Sequence, residues 1–103
     1  MSTYDLMRQA IQNKTSVACW YRDHYRILSP HTLGKKKGHY KVLSIQTGGD
    51  SSGGLRPTNE ENWRCMFLDD IVRPVAHDDP WETATNHSRK QTCVDEVHYE
   101  VAY

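Results

Sequence analysis

The sequence predicts a mainly β fold: a small, closed, half-buried sheet with one helix lying on it. Three observations lead there. The stretch Gly38–Gln46 carries β-branched Val42 and Ile45 with aromatic Tyr40, and nothing inside it breaks a ladder. Both of its faces hold apolar side chains, which suits a central strand. The segments on either side alternate with period two, whereas residues 6–11 repeat at helical spacing.

Taken in order, Ser2 or Thr3 caps a first helix with Asp5 in its opening turn. Leu6, Met7, Ala10 and Ile11 form its apolar face, and it ends near Asn13-Lys14. Ser16–Tyr21 is a strand with Val17, Cys19 and Tyr21 on one side and Ala18 and Trp20 on the other. Arg22-Asp23 turns the chain into a second strand, His24–Leu28, without the glycine that tight hairpins favour. Ser29-Pro30 is expected to break the ladder, because Pro30 has no amide hydrogen. A third short strand then starts at His31 and turns through Lys35-Lys36-Lys37-Gly38 into the central one. Residues 47–62, rich in glycine and lacking apolar periodicity, read as a long mobile loop. Trp63–Leu68 and Ile71–Ala76 are further strands, the second suited to an edge by Pro74. Trp81–Gln91 is polar around an exposed-looking Trp81. The last segment alternates Val97, Tyr99, Val101 and Tyr103 with Glu96, His98, Glu100 and Ala102, as a strand that closes the sheet or adds an edge to a partner. Residues 1–76 thus form the main unit, and 77–103 are an extension packed on the same domain.

Composition narrows the function. At 103 residues and 37% apolar, one modest core is affordable and two are not. Thirteen basic residues balance thirteen acidic ones, which argues against non-specific nucleic-acid binding driven by total charge. The charges are nonetheless segregated. Lys and Arg dominate from Lys14 to Lys41, where Asp23 is the one acid, and acids dominate from Glu60 to Asp79. Cys19, Cys65 and Cys93 are odd in number and widely spaced, which argues against a disulfide framework and a zinc knuckle. Cys19 and Cys65 sit among apolar residues and read as inert buried thiols. No stretch is long enough to span a membrane and the N-terminus has no apolar signal core, so a cytoplasmic protein with reduced thiols is expected.

Four places in the chain are similar to the WYL domain family. Leu6–Ala18 resembles the family's lead-in helix and strand. Tyr21–Pro30, with Tyr25-Arg26 and the following Ser29-Pro30-His31-Thr32-Leu33-Gly34, resembles its hairpin and the Arg–Pro–Leu segment after it. Gly38-His39-Tyr40-Lys41-Val42 sits where the family carries its Trp-Tyr-Leu signature, of which only the tyrosine is kept. Arg64-Cys65-Met66-Phe67-Leu68-Asp69-Asp70-Ile71 resembles the family's Arg-x-Phe-x-Leu-Asp-Arg-Ile ending, with Met66 for Phe and Asp70 for the basic residue. The resemblance covers roughly residues 5–76. It implies an SH3-like or Sm-like five-stranded barrel with an N-terminal covering helix, to which a C-terminal strand is added. It also implies a non-catalytic role in binding a nucleic acid or nucleotide-derived signal, often in bacterial or phage defence regulation.

By motif position the ligand face is Tyr21, Arg26, His31, Tyr40, Lys41 and Arg64. The residue types suit phosphate and base. Guanidinium forks match phosphate oxygens, Tyr and His rings stack on bases, and the Gln46 amide reads a base edge. The same residues have structural readings: Tyr21 and Tyr40 as half-buried rings, Arg26 and Arg64 in surface pairs with Asp23, Asp69 or Asp70, and His31 as a turn residue. No cofactor, no metal ligand set and no catalytic constellation is expected; His77-Asp78-Asp79 is too local to converge on one ion. The alternative function is a protein-binding adaptor or inhibitor that docks through its sheet edge or its C-terminal strand. A homodimer stays open.

Overall fold

The computed structural model describes residues 1–50 and 54–102. The helix α1, Thr3–Asn13, begins where expected: Ser2 caps it by accepting from the Asp5 amide at 3.1 Å. It ends in left-handed Lys14 and buries Met7, Ala10 and Ile11 on the sheet. The strands are β1 (Thr15–Tyr21), β2 (His24–Lys36), β3 (His39–Gly49), β4 (Trp63–Phe67), β5 (Ile71–Pro80) and β6 (Glu96–Glu100). They form one antiparallel sheet in the order β4-β3-β2-β1-β5, with β6 paired to the far half of β2.

The sheet is mainly antiparallel β as expected, but it is not a closed five-stranded barrel. β4 and β5 are the two ends of the strand order and share no ladder. A single 3-10 turn, Leu68–Asp70, joins them in sequence, so the sheet must curl until its ends meet at that corner. The Tyr21 hydroxyl of β1 bridges the curl by accepting from the Phe67 amide of β4 at 3.1 Å. Inside lie Val17, Cys19, Leu28, Leu33, Val42 and Met66, plugged by α1.

Pro30 does not end a strand. β2 runs through it, Pro30 standing opposite Ser44, and the register shifts between Pro30 and Thr32 absorb the missing donor as a bulge. The expected third strand from His31 is therefore the second half of β2. That half has neighbours on both sides, and at Gly34 they come close: a Cβ there would run into the Glu96 carbonyl of β6. The Arg22-Asp23 turn holds both residues at positive φ, 50° and 67°. Arg22 compensates through its side chain, which lies over the Tyr21 and Phe67 rings and reaches Asp70 at 3.2 Å. Among the described residues β5 pairs with β1 alone; it contains Pro74 and, before it, Arg73 at φ 53°.

The expected loop 47–62 is shorter than its composition suggests. Residues 47–49 belong to β3, and Asn59–Glu61 form a 3-10 turn; residues 51–53 of the expected loop lie outside the described residues, as does Tyr103 of the expected last strand. After β5 the chain crosses the sheet's outer face. Trp81 is not an exposed anchor: it packs against the core, and its indole N–H donates to the Pro30 carbonyl at 2.9 Å. Cys65 and Cys93 form a disulfide that fastens this crossing segment to β4, so the expectation of three reduced thiols, Cys65 buried among them, is corrected. Cys19 stays free and buried, and burial pushes its thiol up to about 11. The C-terminal strand is no loose arm, since Val101 is in the core and its amide donates to the His31 carbonyl at 2.8 Å.

Candidate functional site

Register decides which of the sequence-predicted residues meet. Arg26 stands opposite the core residue Cys19, and Arg64 opposite Ser44. Gln46 follows Ser44 by two, and Met66 follows Arg64 by two, so all of these project to the covered face of the sheet. Tyr21, Arg26, Gln46 and Arg64 come together there. Tyr40, Lys41 and His31 do not join them. Tyr40 sits against the Tyr4 ring of α1 at 5.4 Å, with the Lys35 ammonium over it at 4.8 Å. Lys41 points to the outer face and lies over Phe67 at 4.4 Å.

His31 is a pillar of the outer face. Its ring is wedged between Trp63 and Trp81, with centroids 4.7 Å and 4.5 Å away. Nδ1 faces the Ser29 carbonyl at 2.7 Å, which can only accept, so Nδ1 carries the proton and Nε2 accepts from the Thr83 hydroxyl at 3.0 Å. Burial, first of all, drives its pKa down to about 4, against the support of the Ser29 carbonyl. His31 is thus a neutral structural ring at pH 7.

The inner site is different. Arg26 is only 7% exposed. Its guanidinium lies over the Tyr21 ring at 5.2 Å and donates from Nη1 to the Gln46 side-chain carbonyl at 3.3 Å. Its Nε is buried with no hydrogen-bond partner, and so is the hydroxyl of Ser44, on the same face opposite Arg64. Among the described residues, no carboxylate pairs with Arg26. Gln46, expected to read a base edge, is buried here. Its amide N–H groups close the end of β3 by donating to the carbonyls of Gly48 at 3.0 Å and Asp50 at 2.8 Å, leaving its oxygen to orient Arg26.

Arg64 shares this face with Arg26. Arg64 loses basicity, through partial burial first and then through the like charges of Arg26 and Arg56. The residue that brings Arg56 and Arg64 together is Asn62, buried at the end of the glycine-rich stretch. Its side-chain oxygen accepts from the Arg56 amide at 2.9 Å and from Arg64 Nη2 at 3.5 Å. Its NH2 donates to the Arg56 and Thr58 carbonyls at 3.0 and 3.1 Å. Arg64 Nη1 faces the Trp63 carbonyl at 3.2 Å. The hydrogen-bond partners of Arg64 among the described residues are neutral oxygens, and the expected surface pairs of Arg26 and Arg64 with Asp23, Asp69 or Asp70 do not form among the described residues; Asp70 pairs with Arg22 instead. Arg56 and Asn62 were not candidates on sequence, since a lone Arg in a glycine-rich stretch carries no pattern.

Among the described residues, no carboxylate pairs with Arg26 or Arg64, and the like charges acting on Arg64 disfavour its protonated form. Among the described residues, no group of three or more His, Cys, Asp or Glu side chains is placed to hold a metal ion, and no helix is long and apolar enough to cross a membrane. Elsewhere, the outer face of β1, β2 and β5 exposes Trp20, Tyr25, Val72 and Val75; Tyr25 and Val72 are the cross-strand neighbours of Trp20. Comparison of the chain with family models, curated proteins and solved structures gives no match.

Proposed function

We propose that this chain is a non-catalytic ligand-binding fold of WYL type, SH3-like or Sm-like in its finer architecture, that recognises a nucleic acid or nucleotide-derived signal through its phosphate in bacterial or phage regulation or defence. One observation carries the reading: Arg26 and Arg64 share the covered face with no carboxylate pairing with either among the described residues, and the buried Arg26 Nε and Ser44 hydroxyl lack partners. Guanidinium forks and phosphate oxygens are matched in shape and charge. The net charge of zero fits selective binding at one place over general adhesion to polyanions. The test is titration of labelled single-stranded DNA, RNA and cyclic oligonucleotides. Binding at micromolar or tighter affinity, weakened by salt and abolished by Arg26→Ala with Arg64→Ala, supports the reading. Its absence across all three probes overturns it.

A second reading, docking on a protein, is favoured by the exposed Trp20–Tyr25–Val72–Val75 face, where Val75 is 57% exposed. On this reading the contact is made by that face, or by the sheet edge or C-terminal strand, whose pairing with β2 occupies one of its two edges. Loss of a partner on Trp20→Ala with Val72→Ser, at unchanged melting temperature, is the expected result.

A further inference from the structure

We propose that the exposed Trp20 face packs against the same face of a second copy of this chain, the two related by a two-fold axis along the Tyr25–Trp20–Val72 row. The proposal rests on the protein-docking reading above and names the occupant. Register builds the face. Tyr25, Trp20 and Val72 are cross-strand neighbours on β2, β1 and β5, and Ile27, Ala18 and Val75 form the next row on the same side. Trp20, Tyr25, Val72 and Val75 are all exposed, so two adjacent apolar rows face outward, as at a contact site. The margin of β5 is interrupted at Arg73 and Pro74, which directs a partner onto the face and away from the edge.

Charge decides the partner. Asp69 lies in the 3-10 turn before β5, and Arg73 follows Val72 in the strand. Both line one shallow concavity of about 630 Å3 with Trp20 and Val72. Both are exposed, and neither forms an ion pair among the described residues, whereas the nearby Asp70 is taken by Arg22. Along the chain this face therefore reads acid, apolar, base. An isologous contact must complement itself. Rotation by 180° about the Tyr25–Trp20–Val72 row reverses the strand direction and lays apolar row on apolar row. It also carries Arg73 of each copy to the Asp69 end of the other. Two equivalent ion pairs then flank a shared aromatic centre that excludes water. A two-fold axis along the strands would set acid on acid instead. The net charge of zero adds no repulsion between copies.

The experiment is analytical ultracentrifugation of the full chain at concentrations up to about 300 μM, with the fold of every variant checked by circular dichroism. The wild type should pass from one chain mass to two as concentration rises, and Trp20→Ser should stay at one. Asp69→Arg and Arg73→Asp should each weaken self-association at least about tenfold. Asp is among the residues that accept the positive φ at position 73. An equimolar mixture of these two variants should recover the dimer, because each then meets the opposite charge on the other. A residue that acted only within its own chain would not be rescued by mixing, and failure of the mixture would overturn the proposed two-fold. A folded wild type that stays monomeric at about 300 μM, or a dimer that survives Trp20→Ser, would overturn the second-copy proposal. If a different protein is still lost on Trp20→Ala with Val72→Ser, the docking reading stands without it. If neither a second copy nor another protein depends on this face, both fall.

Discussion

The imidazole of His31 stacks on the Trp81 indole at 4.5 Å with the ring planes 30° apart, and both of its nitrogens are occupied by neutral partners. This joins the middle of β2 to the segment that follows β5 and makes His31 a gauge of stability against pH. Its folded pKa, about 4, lies below the ordinary value near 6.5. Between the two the unfolded chain binds the extra proton, so the His31 contribution is complete above pH 6.5 and declines as the pH falls toward 4. The full shift corresponds to roughly 3 kcal/mol. Urea unfolding at pH 7.5 and 4.5 should show the loss, and His31→Phe should flatten that part of the slope.

The Cys65–Cys93 bridge closes a loop of 28 residues in sequence separation. By loop entropy alone, its removal should cost about 3–4 kcal/mol. Thermal unfolding with and without a dithiol, alongside Cys65→Ser with Cys93→Ser, measures it. Cys19 is buried and should not complicate the comparison.

Asn62 forms hydrogen bonds with Arg56, Thr58, Arg64 and, through its carbonyl, the Gln46 amide at 2.9 Å. Asn62→Ala removes the side-chain set but leaves the backbone bond. At about 1 kcal/mol for each good bond, the expected loss is about 2–3 kcal/mol. Phosphate-ligand affinity should fall with it, because Arg56 is no longer tied beside Arg64. Unchanged affinity in a folded Asn62→Ala variant would show that the turn does not organise the cluster.

Substituting Asp23 should stabilise the protein. Asp23 sits at φ 67° in a two-residue hairpin turn that favours glycine there. Asp23→Gly relieves the left-handed strain for a gain of about 0.5–1 kcal/mol. The neighbouring Arg22→Gly should not gain, since it gives up the Asp70 pair and the contacts with Tyr21 and Phe67. Chemical denaturation of the two variants settles the ordering.

Legibility in the sequence followed the range of the interaction. The capped helix and the alternation of Val17, Cys19 and Tyr21 are local patterns, and the fold keeps them. Pro30 was misleading because a bulge inside a long strand looks, in sequence, like the strand's end. An odd cysteine count gave no hint that Cys65 and Cys93 would meet, since their approach depends on the chain crossing the sheet. His31 could be seen but not placed; its role is set by Trp63 and Trp81, which only the tertiary fold brings to it. In the candidate site, Tyr21, Arg26, Gln46 and Arg64 were legible as chemistry, while Arg56 and Asn62 emerged only from the turn that joins them.

The outer strand, β5, has one further consequence. With Pro74 lacking a hydrogen to donate and Arg73 swung to φ 53°, its outer margin is interrupted at that point for an incoming extended peptide. Strand addition and fibre growth are disfavoured across that stretch. Any visitor there must settle flat on Trp20 and its aliphatic neighbours.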